Sequence, residues 1–252
     1  YTHWIGIERD VTEKKNKELE KELLSKISNA FRIENDYQAA AHKLCKTICH
    51  FGKFDWVEVW TTNLEKSHIQ LLNYYVSKSI DDRFYNLNEG KRKTFDLSEG
   101  LQGEVYSEKK QVLWNDAEME QGFVRNKAAK DIGVTSVLGI PLIFEKEVIG
   151  VLVIGSKYDV KHLERYTRVF NYFETFIGAE LKRKKLENEM NSLFESIPDI
   201  VCLSDAEGQF LKMNKSGCEL LGYDESEIIN RNIEEFVYSK EENFTKNEFK
   251  RI

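Results

Sequence analysis

Glu58 stands between Trp56 and Trp60 in the run FDWVEVWTT, residues 54–62. In an extended strand these three side chains share one face. A carboxylate flanked by two indoles can hold a polar or cationic group, by charge and through the ring faces. The competing reading puts Glu58 on a strand near the sheet edge, reaching water. That second reading is favoured here, because Glu is rarely buried without a partner. A further constellation is His42, Cys45, Cys49 and His50. Positions 42, 45 and 49 fall on one helical face, and thiolate plus imidazole suits zinc. Structural zinc sites usually draw their ligands from separate turns, so the two cysteines are expected to be small buried hydrophobes and no metal is expected. No Walker loop, zinc-protease helix or Gly-x-Ser-x-Gly elbow occurs. Gly100 and Gly103 do not follow a strand in a βαβ unit, so a nucleotide loop fits poorly, and no catalytic residue is expected.

These residues need elements to position them. From Glu13 to about Phe31, Leu19, Leu23 or Leu24, Ile27 and Phe31 recur at steps of three or four, which predicts an amphipathic or coiled-coil helix. Residues 36–50 predict a second helix, with Tyr37, Ala40, Ala41, Leu44, Cys45 and Ile48 on one face. The period then changes. Residues 54–62 and 68–78 read as strands around an Asn63–Ser67 turn. Residues 100–109 read as a short helix, 110–116 as a short strand, and 117–131 as helix-prone. Residues 134–144 and 147–156 are the most apolar runs, and Glu145 and Lys146 between them predict a central hairpin. A long helical pattern runs from about His162 to Ile197, with Leu163, Tyr166, Phe170, Phe173, Ile177 and Leu181 as one stripe and Leu186, Met190, Leu193 and Ile197 as another. Residues 199–213 read as strand, turn, strand, and 214–222 as a helix ending at Gly222.

Composition sets the class. Of 252 residues, 41% are hydrophobic and 32% charged, as in a soluble globular protein, and a net charge of -6 argues against a nucleic-acid binder. No apolar run reaches the roughly 18–20 residues that span a bilayer, so no membrane contact is expected. Four cysteines without a C-x-x-C pair fit a reducing cytoplasm, although a parent protein could be membrane-anchored elsewhere. The chain opens at Tyr1 within what reads as a strand, as a piece of a longer protein would.

Three segments resemble known sensory families. Gly100-Leu101-Gln102-Gly103-Glu104-Val105, the Trp114-Asn115-Asp116 turn, and Leu138-Gly139-Ile140-Pro141-Leu142 followed by Val148-Ile149-Gly150-Val151-Leu152 resemble a GAF domain over residues 20–185. Residues 5–14, IGIERDVTEK, look like the closing strand of a PAS domain, with Asp10 and Thr12 in the exit signature that couples sheet to helix. Residues 192–252 resemble the opening of a second PAS domain, with Ile197-Pro198-Asp199, Asp205, Gly208, Asn214 and Leu220-Leu221-Gly222-Tyr223 in the expected order.

The resemblance implies an α+β fold: an antiparallel sheet with helices on one face, a ligand pocket under loops on the other, long linker helices, and a partial PAS domain at each end. It implies a domain order of PAS strand (1–12), linker helix (13–31), GAF domain (20–185), signalling helix (163–197) and PAS opening (192–252). Candidate pocket liners are Glu58, Trp60, Phe95, Leu101, Trp114 and Phe123. The cofactor stays open. Segments from Phe84 to Gly155 contain no Cys, which counts against a covalent bilin and against the GAF-type methionine sulfoxide reductases. Haem could use only a lone His such as His68. Ile233 stands where light-sensing PAS domains carry a reactive Cys, and Glu8 where a flavin-contacting Gln is usual, so flavin photochemistry is not expected. The implied function is a sensory and transmission module, dimeric through helices 13–31 and 163–197, with a parent histidine kinase in a two-component phosphorelay. The alternatives are the regulatory region of a diguanylate cyclase or phosphodiesterase, and a non-enzymatic dimerisation scaffold.

Overall fold

In a computed structural model, which describes residues 12–63, 65–78, 83–86 and 92–236, the apolar periodicities resolve into layers around an antiparallel sheet. The strand expected over residues 1–12, with Asp10, falls almost wholly outside the described residues; Thr12 begins the first helix. The elements, in order, are helices α1 (Thr12–Ile33) and α2 (Tyr37–Gly52), then strands β1 (Trp56–Thr62) and β2 (His68–Val76). Helix α3 (Arg83–Asn86), strand β3 (Thr94–Asp96), helix α4 (Gly100–Glu108) and strand β4 (Val112–Asn115) follow. Helices α5 (Asp116–Gly122) and α6 (Asn126–Asp131) lead to strands β5 (Ser136–Phe144) and β6 (Glu147–Ser156), then to helices α7 (Val160–Asn171) and α8 (Glu174–Ser196). Strands β7 (Cys202–Ser204) and β8 (Phe210–Met213) precede helices α9 (Lys215–Leu221) and α10 (Glu225–Ile228).

The chain divides into two units, Tyr1–Lys185 and Leu186–Ile252. In the first, six strands pair antiparallel in the order β3-β2-β1-β6-β5-β4. Glu145 and Lys146 join β5 to β6 with φ of 49° and 68°. Positive φ at both turn residues is the geometry whose twist suits a two-residue hairpin.

Alternation along the strands sorts side chains to two faces. Val57, Val59, Leu138, Ile140, Leu152 and Ile154 meet the long helices, which contribute Leu23, Ile27 and Phe31 from α1 and Leu44 and Ile48 from α2. Phe170, Ile177 and Leu181 join them from α7 and α8. Trp56, Trp60, Val137, Val151 and Val153 point the other way, into a second core built with the short helices α3 to α6. That face therefore carries short helices as well as loops. The central strands are buried on both sides, and β1 is buried along nearly its whole length.

The pattern from His162 to Ile197 suggests one helix, but the structure breaks it at Tyr172–Phe173. There the backbone tightens: Tyr172 N–H donates to Val169 C=O at 3.3 Å and Phe173 N–H to Phe170 C=O at 2.8 Å. No Pro or Gly marks the break, and Phe170, Phe173 and Ile177 on either side all stay buried. Gly178 then lets α8 lie against β5, since a Cβ there would sit 2.3 Å from the Ile143 carbonyl oxygen.

In the second unit, β7 and β8 form a hairpin whose turn is held by the Asp205 carboxylate, which accepts from Glu207 N–H and Gln209 N–H at 3.1 and 2.8 Å. Gly208 supplies the φ of 82° that the turn requires. Asn214 caps α9 by accepting from Gly217 N–H at 3.0 Å. Its amide also donates to Ile197 C=O and Asp199 C=O at 3.0 and 2.9 Å, tying the entry segment to the hairpin. Phe210, Met213 and Ile228 form a small core, with Ile233 packed against it.

Candidate functional site

Glu58 does not reach water. β1 is an inner strand, paired with β2 through Glu58–Tyr74 and with β6 through Glu58–Val153, and Glu58 is 0% exposed. The expectation of a solvated edge residue is corrected for a physical reason: the carboxylate has a partner. Arg125 lies just before α6 and is also 0% exposed. Its Nη1 donates to Glu58 Oε1 at 2.7 Å and its Nη2 to Oε2 at 2.6 Å, a bidentate pair. Two neutral donors complete the carboxylate. Tyr85 O–H reaches Oε1 at 2.6 Å, and Trp60 Nε1–H reaches Oε2 at 2.8 Å.

The guanidinium is also boxed by rings. Arg125 Cζ lies 5.0 Å from the ring centroid of Phe84, 5.1 Å from Trp60, 5.6 Å from Phe123, 5.7 Å from Trp56 and 5.8 Å from Phe95. These distances are within the range of cation–π attraction. The rings come from β1, α3, β3 and the α5–α6 connection, so four separate segments of the face opposite the long helices converge on one charge. Gly155 allows this arrangement, because the Trp56 ring lies over it and a Cβ there would fall 2.3 Å from that ring.

The electrostatics follow from burial and from the pair. Burial works against the Arg125 charge, but the Glu58 carboxylate more than offsets it and holds the guanidinium above its ordinary value. Burial, then the Glu58 charge, push the Tyr85 phenol well above its ordinary range, so it stays a protonated donor. Two buried donors in the cage, Arg125 Nε and Trp56 Nε1, have no hydrogen-bond partner among the described residues.

Of the six liners read from sequence, Glu58, Trp60, Phe95 and Phe123 meet at Arg125. Leu101 and Trp114 belong to the same core but are not among the rings and donors around the guanidinium: Leu101 packs under Gly139, and Trp114 sets its edge to the cage ring Phe123 at 6.5 Å. Sequence reading missed Arg125 and Tyr85. The available signal was Glu58 itself, since a Glu between two indoles on an inner strand demands a buried cation.

The second constellation disperses. Cys45 and Cys49 are buried in the other core, and Cys49 Sγ donates to Phe54 C=O at 3.0 Å. His42 Nδ1 lies 3.0 Å from Tyr74 C=O, and His50 Nε2 lies 3.1 Å from Tyr75 Oη. Among the described residues no group of His, Cys, Asp and Glu is set to hold a metal ion. His68 Nδ1 lies 3.1 Å from Ser67 Oγ.

Solved structures share this fold at low identity. The free methionine-R-sulfoxide reductase from Neisseria meningitidis is 14% identical, with a TM-score of 0.52 over 75% of this chain and 98% of that one. The GAF domain of A. aeolicus nlh2 is 16% identical, with a TM-score of 0.54 over 67% and 99%. The GAF domain of an Acinetobacter phosphoenolpyruvate-protein phosphotransferase is 16% identical, with a TM-score of 0.52 over 68% and 97%. No curated protein matches the chain. A profile for the PAS fold matches residues 188–251, on the C-terminal side only. A profile for the GAF domain matches residues 34–170, more than half of the sequence and all of the cage, and the chain belongs to the GAF domain family.

Proposed function

We propose that the chain is the sensory and transmission region of a signalling protein that regulates a histidine kinase in a two-component phosphorelay. One observation supports the transmission role most, while the kinase output rests on the resemblance to sensory arrays. The GAF match ends at residue 170, the PAS match begins at 188, and α8 runs from Glu174 to Ser196. The helix that packs on the GAF sheet through Ile177 and Leu181 is thus the helix on which the PAS match opens. Sensory modules joined by a shared helix can pass a shift in one to the next. In this reading a small molecule in the pocket of Glu58, Trp60, Phe95, Leu101, Trp114 and Phe123 biases the sheet, and α8 carries the bias onward. Asp10 and Thr12 couple the opposite end, and the whole works as a cytoplasmic homodimer.

A scaffold reading has one observation in its favour: Arg125 already fills the cage. The coding sequence beyond the Ile252 codon tests the output. A helix with a phosphoacceptor His followed by an ATP-binding region supports the kinase reading. A Gly-Gly-Asp/Glu-Glu-Phe cyclase signature there overturns it.

A further inference from the structure

The two halves of the buried pair are not equally fixed. Glu58 sits on an inner strand hydrogen-bonded on both sides, and its carboxylate is held by Trp60 of the same strand and by Tyr85. Arg125 sits between two short helices, outside every sheet, with its guanidinium at the end of a long flexible side chain. If one partner leaves, it is the cation. What remains is a carboxylate in a box of five aromatic rings, with the Trp56 Nε1 donor unpartnered among the described residues.

We infer that the GAF cage is a site for a small organic cation, a guanidinium or methylated ammonium group, and that Arg125 is its internal competitor. The charge balance decides the class. A cation that displaces Arg125 keeps Glu58 paired, whereas an anion or a neutral molecule leaves a buried charge uncompensated. The ring faces favour the same class, since they attract cations, quaternary ammonium included. Arg125 then acts as a plug: empty of ligand, the site keeps its two charges paired, and ligand entry releases the α5–α6 connection. The unpartnered Arg125 Nε marks an imperfect fit of the plug, whose loss on leaving is correspondingly smaller. This inference rests on the pocket being the sensory site proposed above.

The test titrates the whole chain with methylguanidinium chloride and tetramethylammonium chloride, at constant ionic strength, following tryptophan fluorescence and thermal midpoint. Sodium acetate and acetamide serve as anionic and neutral controls. Saturable binding of at least one cation is expected, with neither control binding. Arg125→Ala should tighten it roughly tenfold or more, because removing the competitor raises the fraction of binding-competent protein. Arg125→Lys, which keeps a charge on a shorter reach, should tighten it less, and it replaces the alanine variant if that one does not fold. If the wild-type chain shows no saturable response to either cation, the plug is permanent and the inference is overturned. Binding of acetate or acetamide without either cation overturns the ligand class yet leaves the sensory reading standing. The output-domain test is independent of both.

Discussion

Removing one member of the Glu58–Arg125 pair leaves a buried charge facing aromatic rings. Such a loss typically costs about 3–5 kcal/mol. Glu58→Gln and Arg125→Met are each expected to lower the thermal midpoint by that equivalent. The double variant Glu58→Leu, Arg125→Met should recover much of the loss, because an apolar replacement removes both charges together. Recovery should stay incomplete, since Tyr85 O–H and Trp60 Nε1–H lose their acceptor. A double variant that loses the sum of the two single losses, measured by denaturation, would show the pair contributes nothing as a unit. The thiols give a second residue-scale expectation. Burial, and then Asp55, push Cys49 up to about 12, and burial pushes Cys45 well above its ordinary value. Unfolded thiols begin to ionise near pH 9 while the folded ones keep their protons, so this stability is complete below pH 9 and is lost as pH rises toward 12. Tyr85 adds to the same loss from its ordinary range near 10 upward. A midpoint series across that range should fall with pH, and Cys49→Ala should flatten it. At pH 8 a disulfide reagent should find Cys202 and Cys218 in the folded chain and leave Cys45 and Cys49 unreacted until it unfolds. Glu58, Trp56 and Trp60 were legible in the sequence because strand alternation fixes which side chains share a face, whereas Phe95 and Phe123 entered only as liners that the GAF resemblance implies. Arg125 was not, because no periodicity links position 58 to a basic residue 67 positions away, and Lys127 and Lys130 beside it look no different in sequence.

At the scale of elements, legibility follows the strength of local constraint. The β5–β6 hairpin could be read from two apolar runs and a two-residue spacer, and α9 from Asn214 and Gly222 at its ends. The short β3 and α3 were not foreseen, since three or four residues carry no period. The α7–α8 break escaped for a different reason. A single tightened turn leaves steps of three and four intact, so the apolar stripe looks unbroken while the helix is not. Gly178 offers a test of how α8 is seated. Helix propensity alone makes Gly178→Ala stabilising by about 0.5–1 kcal/mol. The Ile143 carbonyl, 2.3 Å from where the new Cβ would sit, opposes it. A backbone oxygen inside a strand cannot swing aside as a side chain can, so the clash should dominate, with a net loss of about 1–3 kcal/mol. A raised midpoint instead would mean that α8 is free to lift from β5.

For the molecule as a whole, burial decides which part of the proposed dimer seam is available. Leu23, Ile27 and Phe31 of α1, and Leu163, Phe170, Phe173, Ile177 and Leu181 further on, are already used by their own domain's core. They cannot also form a seam between copies. The residues left over begin where α8 passes Lys185: Leu186, Met190, Leu193 and Ile197 are 44%, 71%, 66% and 37% exposed. Their steps of four, three and four are those of a coiled-coil stripe. Each side chain fully buried there would contribute about 1.5–3 kcal/mol, enough for a short stripe to matter. No helix among the described residues is long and apolar enough to cross a membrane. Two sets of substitutions should therefore separate cleanly. Met190→Glu with Leu193→Glu is expected to convert a dimer to a monomer by light scattering, with the GAF domain's thermal midpoint unchanged. Phe173→Lys with Ile177→Lys is expected to unfold that domain, because two charges would enter a core with no partner for them. A native chain that is monomeric at high concentration would remove the dimer from the mechanism. A dimer that survives the Met190 and Leu193 changes would move the seam to the other exposed apolar residues of the long helices, Leu24 and Ile33 on α1.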